Sequence, residues 1–513
     1  MIYLYNFFKS FKYSSLVFVI YIFLSSCNSP KKNKEAVLYE TYCASCHIPP
    51  EMNSLPKDIW SEKILPDMGA RLGIRDSGYN PYKNLSFVEM EAVIRTGVYP
   101  EKPMLNKKDW ELLKAYIIAN APDSLQAIVN NDIPEELSLF TPKLISLDST
   151  KGTLITYLEF KQDQNRLLFG DLHGNLSEYS FPGKQNTLIG SYGSPVVSIA
   201  NNGANMLALG IGRLRPTELS TGSIFEVEQD TTKVIIEELH RPVYLLTHDF
   251  DKDGINELLV CEFGNLKGQL SLFEKSTENG KYTKHVLLNQ AGTIRVELRD
   301  MNKDGNKDLV VLTAQGDEGV TILYYEKDLK FRPEKVIRFS PVYGTSAFQL
   351  IDYDDDGDQD LITVHGDNAD KSFVPKPYHG MRIHINDGEN KFAEAYFYPL
   401  NGATAVEALD FDQDGDIDIA LVSTFPDYQN KPDMSFVYLE NKNEINFNFS
   451  VNRFKESTIG RWLLMDAGDL DGDGDEDLIL SSFTYVFTPV PESFSERWDK
   501  ENVDIVILEN MLN

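Results

Sequence analysis

Two cysteines and a histidine set the first constraint. Cys43-Ala-Ser-Cys46-His47 has the C-x-x-C-H spacing at which c-type haem is attached. On one helical turn the two thiols reach the two vinyl groups of the porphyrin, and the adjacent imidazole reaches the iron from the same face. A zinc site would need two further ligands close by, yet the next histidine is His173 and the next cysteine is Cys261. A thioredoxin-like dithiol would need a βαβ setting, which the flanking residues lack. The motif occurs once, so one covalent haem c is expected and a dihaem peroxidase is excluded.

A second constellation, D-x-[DN]-x-D-G-x-x-[DE], occurs five times. Its side-chain oxygens fall at Asp249, Asp251, Asp253 and Glu257; at Asp300, Asn302, Asp304 and Asp308; and at Asp352, Asp354, Asp356 and Asp360. The last two sets are Asp410, Asp412, Asp414 and Asp418, and Asp469, Asp471, Asp473 and Asp477. Donors at positions 1, 3 and 5 face one point, glycine at 6 allows a sharp turn, position 7 offers its carbonyl, and the acid at 9 closes the cage. That is an oxygen-only site for a hard cation of the Ca²⁺ type, and up to five ions are expected. The EF-hand shares the first six positions but needs Glu at position 12 and helices on both sides. Here position 12 is Val260, Val311, Thr363, Leu421 and Leu480, and strand-like apolar runs such as Leu309–Thr313 follow.

The elements that must hold these residues differ in kind. Glu35–Tyr42 reads as a short helix leading into the cysteines, and Asp109–Asn120 as an amphipathic helix closed by Pro122. A haem motif between two such helices resembles a monohaem class I cytochrome c, a small all-α domain here assigned to residues 36–122. In that family the second axial ligand is a methionine on the loop before the last helix. The resemblance therefore implies Met104, with Met68 as runner-up among Met52, Met68, Met90 and Met104. A thioether ligand would raise the potential and favour electron transfer.

The acidic stretches begin at 249, 300, 352, 410 and 469, intervals of 51, 52, 58 and 59 residues. Periods of that length containing several strands each are those of propeller blades. The pattern resembles the FG-GAP/VCBS repeats of integrin-type β-propellers, whose calcium loops lie between strands of a blade. Arg166–Tyr179 and Met206–Gly212 read as two more blades without the loop. Seven blades over residues 145–513 are expected, or eight if strands near Leu137–Ile155 form more than a closing strand, with residues 123–144 as linker.

Lys9 and Lys12, then the apolar run Leu16–Phe23, then Leu24-Ser-Ser-Cys27 resemble a lipoprotein export signal with its lipobox. Residues 1–27 are assigned to signal and lipobox, with lipidation at Cys27, and 28–35 to a polar tether. The expected location is the cell envelope, with the membrane as a partner through the lipid. The net charge of −29 argues against nucleic acid, because phosphate binding needs clustered cations. Cys261, in an apolar run, reads as a buried inert thiol.

Catalytic residues are unknown. The stretch from His365 to His384 is a long polar insertion carrying His365, His379 and His384; a metal or acid–base site is conceivable there, and a structural role is the stronger expectation. The expected role is electron transfer, with the propeller docking a redox partner protein or a small-molecule donor or acceptor. Two alternatives stand beside it. The propeller is an oxidoreductase acting on a small molecule or glycan and passing electrons to the haem, or the chain is a binding or adhesion protein.

Overall fold

The computed structural model describes residues 33–75, 78–126, 134–149, 151–181, 183–227, 232–369, 372–442 and 447–512. Cys27 and the export signal lie outside the described residues. Among the described residues, no helix is long and apolar enough to cross a membrane.

Seven blades occupy residues 155–191, 196–239, 242–288, 293–338, 345–399, 403–453 and 462–510, each of four antiparallel strands, the sixth carrying in addition Glu135–Glu136 parallel to its outer strand Phe449–Arg453. The last blade contributes only three strands in sequence order. Its outer strand is Phe140–Ile145, which pairs antiparallel with Ile505–Asn510. Chain that pairs with the propeller thus begins at Glu135–Glu136, ahead of the expected boundary at 145. The region near 137–155 supplies a closing strand and not an eighth blade.

Burial explains why the second strand of each acidic blade is a nearly unbroken apolar run. Leu309, Val310, Val311 and Leu312 are all fully buried, because a blade is covered on both faces by its neighbours. Alternation of polar and apolar residues is therefore lost there, and outer strands such as Gln185–Ser191 are instead mostly exposed. Apolar clusters sit at the junctions between successive blades. Phe169 and Ile155 of the first blade meet Ile479 and Ile507 of the seventh, which closes the ring. Closure leaves no sheet edge inside the ring to recruit another strand.

Residues 34–120 are helix and loop around a separate core. The helices are α1 (Lys34–Cys43), α2 (Leu65–Arg71), α3 (Phe87–Arg95) and α4 (Lys107–Asn120), and a further helix, α5 (Glu492–Glu501), lies in the seventh blade. Leu38 and Tyr39 of α1 pack with Trp110, Leu113 and Ile117 of α4. Helix α4 begins two residues before the expected start because Asn106 caps it, accepting from the Asp109 amide at 2.9 Å.

In an antiparallel blade, turns between first and second strands share one face of the ring, and turns between second and third strands share the other. The acidic loops are of the first kind. The helical segment touches the second kind and the turns between blades: Tyr378 donates its hydroxyl to the Ser54 carbonyl (2.8 Å), and Val342 and Val374 pack against the helical core. It therefore sits on the face opposite the acidic loops.

Glu89 of α3 is pinned at this join. Its carboxylate accepts from Ser86 in a capping box and pairs with Arg213 (3.3 Å) and Arg215 (3.2 Å) of the second blade. Glutamine keeps the box but removes the ion pairs. Glu89→Gln is expected to speed amide exchange in α3 by roughly two- to fivefold at low salt, with the difference vanishing at 1 M salt. Equal exchange in wild type and variant at low salt counts against a role for the pairs in docking.

Candidate functional site

Helix α1 starts on an Asn33 cap and ends at Cys43, where Ala44 leaves helical geometry (φ −89°, ψ 2°). The motif follows in the turn, held by the Ser45 hydroxyl donating to the Tyr42 carbonyl (2.9 Å) and by Tyr39 donating to the Pro50 carbonyl. Both thiols are free, with Cys43 half-buried and Cys46 exposed. Burial pushes the Cys43 thiol up to about 12, opposite to the depressed value of a reactive redox dithiol. The His47 Nδ1 lies 2.9 Å from the Ile48 carbonyl, so a proton there leaves Nε2 as the free lone pair.

These features fit a c-type haem. The segment also leaves apolar side chains in the open: Val37, Ile48, Phe87, Val88, Ile94 and Met104 are exposed, an unusual concentration for so short a stretch. Met104 is 56% exposed, its amide bonded to the Leu72 carbonyl at 2.8 Å, whereas Met68 is half-buried on α2 and Met52, like Cys43, packs against the helical core.

The five acidic loops share one backbone turn. Position 4 is left-handed in every copy (Lys252, Lys303, Asp355, Gln413 and Gly472, φ between 56° and 83°), as is the glycine at position 6. The position-1 carboxylate accepts the amides of positions 5 and 6, as in Asp356 and Gly357 onto Asp352 at 3.1 and 3.0 Å. Carboxylate oxygens of Asp352, Asp354 and Asp356 lie within 4.8 Å of one another, as do those of Asp410, Asp412 and Asp414, and of Asp469, Asp471 and Asp473. In the third blade Asp249 and Asp251 are joined by Glu257. The Asp300 loop has an amide, Asn302, at position 3, and its Nδ2 donates to Asp304 (3.1 Å). Such oxygen sets can hold a hard cation.

The acid at position 9 does a second job. Asp360 accepts the Tyr353 amide (2.9 Å) on one oxygen and the Asn386 amide (2.8 Å) on the other, tying the loop to the third strand. Asp308 and Asp477 repeat both bonds, and Asp418 instead takes the Tyr438 hydroxyl (2.6 Å) with the Asn441 amide (2.8 Å). Burial first, then the loop's own aspartates, push Glu257 and Asp418 up to about 7 and Asp360 and Asp477 up to about 6.

The histidine insertion is not a solvent-facing loop. His365, His379 and His384 are all buried. A chain of hydrogen bonds runs from Glu318 through Thr345 (2.7 Å) to His365 Nδ1 (2.9 Å), and from His365 Nε2 through Thr363 (3.0 Å) to His384 (3.0 Å). Burial, with the Arg382 cation, drives His365 well below and His384 down to about 4, so both are neutral. Cys261 is fully buried, as expected of an inert thiol.

Sequence reasoning missed the lining of the central channel. Glu159, Glu297, Glu407 and Asp466, with Arg295, come from the first strands of the first, fourth, sixth and seventh blades, and the charge of Arg295 acts on Glu297, Glu407 and Asp466. A signal was present: in three repeats an acid stands three residues before the loop's first aspartate (Glu297, Glu407, Asp466).

Residues 300–363 match the FG-GAP-like repeat family, a stretch holding the last three strands of the fourth blade and the start of the fifth. No curated protein matches the sequence. Among solved structures, the chain is similar to the β-propeller domain of Cps50 (Swd1) from Myceliophteria thermophila, at 11% identity and a TM-score of 0.41, covering 65% of this chain and 95% of that one. It is also similar to a structure of YCF48 bound to D1 peptide, at 8% identity and a TM-score of 0.42, covering 74% of this chain and 99% of that one. This chain carries an FG-GAP-like repeat within a seven-bladed β-propeller.

Proposed function

We propose that the chain is a lipid-anchored protein of the cell envelope that transfers electrons through one haem c, with a calcium-bearing propeller as the scaffold that docks its redox partner. The observation that carries this reading is the motif at the end of α1. Cys43 and Cys46 are free thiols on one turn, and His47 is oriented by a bond through Nδ1 that leaves Nε2 for iron. Bound there, the haem would supply one-electron exchange.

The residues of this chain have separate tasks. Cys43 and Cys46 would anchor the porphyrin, the Ile48 carbonyl fixes the His47 ring, and Met104 or Met68 would complete the coordination. The helical segment is held on one face of the propeller by Glu89 and Tyr378, so the opposite, calcium-loop face stays open for a partner. Cys27 would carry the lipid.

The test is a visible spectrum of the purified full chain. A reduced c-type haem spectrum is expected, lost in Cys43→Ala/Cys46→Ala. Absence of haem from the wild-type protein sinks the reading. The ligand is decided by the near-infrared methionine–iron band, expected to vanish in Met104→Ala and persist in Met68→Ala.

A further inference from the structure

Arg461 stands just ahead of the first strand of the seventh blade, Trp462–Gly468, and is 2% exposed. Its guanidinium bridges two blades. Nε donates to the Thr424 carbonyl (3.3 Å), in the loop between the second and third strands of the sixth blade. Nη1 donates to the Tyr485 carbonyl (3.1 Å) and Nη2 to the Thr488 hydroxyl (2.7 Å), both in the matching loop of the seventh. The group also lies over the Phe487 and Phe425 rings, 4.4 and 5.3 Å from their centroids.

Each of these partners is neutral. Among the described residues no carboxylate pairs with Arg461. Asp427, in the same loop as Thr424, accepts the Gln429 and Asn430 amides at 3.1 Å, and Asp433 pairs with Arg453. The titratable side chain that acts on its charge is Tyr428, and burial pushes that phenol up to about 12, so it is neutral at physiological pH. A buried cation is costly unless a counter-charge meets it. A guanidinium carries five N–H groups, so with three in use each Nη keeps one hydrogen to give.

A cavity adjoins the group. It measures about 10 Å³, room for one water-sized particle, and Arg461 walls it together with Tyr428, Phe494 and Trp498. Phe494 and Trp498 come from α5, and the three rings touch, with centroids 5.3 Å, 6.3 Å and 6.2 Å apart. Aromatic edges are the positive side of the ring and tolerate an anion. A carboxylate or a phosphate exceeds a space of one particle, whereas a halide is the anion nearest to that size.

We propose that Arg461, Tyr428, Phe494 and Trp498 form a buried halide site between the sixth and seventh blades, filled by chloride. It rests on neither the haem nor the calcium reading. The anion neutralises the guanidinium that ties the two loops together. It therefore steadies the stretch 483–491, whose Tyr485, Val486 and Phe487 are exposed.

The test is chloride NMR line broadening on the purified full chain, with calcium saturating and ionic strength held by isethionate, a sulfonate too large for the cavity. Excess broadening is expected, removed by bromide and not by sulfate. Replacing isethionate with about 0.15 M chloride is expected to raise the melting temperature by roughly 2 °C and to slow amide exchange in 483–491. Arg461→Gln is expected to cut the excess broadening at least tenfold and to abolish the melting gain. Circular dichroism checks its folding. Phe494→Ala covers the case in which it does not fold: it opens the wall, leaves the bonds of Arg461 in place, and is expected to let sulfate compete. No excess broadening, or equal melting in the two salts, means that the cavity holds water and overturns the site. Sulfate competing as well as bromide in the wild type, or broadening that survives Arg461→Gln, puts the anion elsewhere and overturns it too. So does a Phe494→Ala chain that still excludes sulfate.

Discussion

Chelating Ca²⁺ is expected to lower the melting temperature of the purified full chain by roughly 10 °C or more at neutral pH. Four of the five loops crowd three carboxylates whose oxygens lie within 4.8 Å of one another, with backbone amides bonded to them. A cation that binds the folded loop and not the unfolded chain adds about 2.7 kcal/mol at a hundredfold excess over Kd. Five loops in one ring make the sum large against ordinary stability.

Single substitutions separate ligand from staple. Asp354 is exposed and has only loop neighbours, so Asp354→Ala is expected to cost stability in calcium and nothing in chelator. Asp360→Ala strips the acceptor from the Tyr353 and Asn386 amides, both in the blade's interior, and is expected to cost about 2–4 kcal/mol in either condition. Thermal unfolding with and without chelator reads both. A melting temperature indifferent to chelator defeats the calcium assignment, and equal behaviour of the two variants defeats the division of labour.

How much of this was legible beforehand depends on the range over which each signal acts. The acidic loops were readable because every ligand of a site lies within nine residues, and the structure repeats one turn in all five. Blade number followed from the same period. Its ambiguity lay at Phe140–Ile145, whose pairing with Ile505–Asn510 spans the whole propeller and leaves no local trace. The C-x-x-C-H motif is equally local, but the sixth ligand of the haem proposed there is not: Met104 and Met68 differ in burial in a way no spacing foretells. The histidine insertion misled by its polarity. Gly, Asp, Asn and Lys suggested a solvated loop, whereas His365 and His384 lie buried in strands of the fifth blade, His379 is buried, and Tyr378 bonds the helical segment. Long-range cover is invisible to composition. The channel acids were missed for a related reason, since charged residues within a strand read as solvent-facing until several first strands converge on the axis.

Those channel acids give the fold a pH dependence of its own. Burial, then Asp466, pushes Glu407 up to about 8, and burial lifts Asp466 to about 6, with Arg295 acting in the other direction. Both groups hold protons more tightly in the folded chain than in the unfolded one, whose carboxyls titrate near 4. Folding therefore favours the protonated forms, and stability declines as pH rises from about 4 through these folded values, becoming flat only above about 8. Water enters the channel, as the 51% exposure of the Arg295 side chain shows, so the effect is smaller than dry burial would give. Glu407→Gln keeps the shape and removes the charge. Measured with calcium saturating, so that the loops do not titrate, it is expected to leave stability unchanged at pH 4.5 and to raise it by about 1–2 kcal/mol at pH 8.5. Arg295→Gln is expected to act in the opposite sense, steepening the decline, because it leaves Glu297, Glu407 and Asp466 without their shared cation. Parallel pH profiles for wild type and Glu407→Gln would show that the channel is hydrated well enough to leave Glu407 an ordinary surface acid.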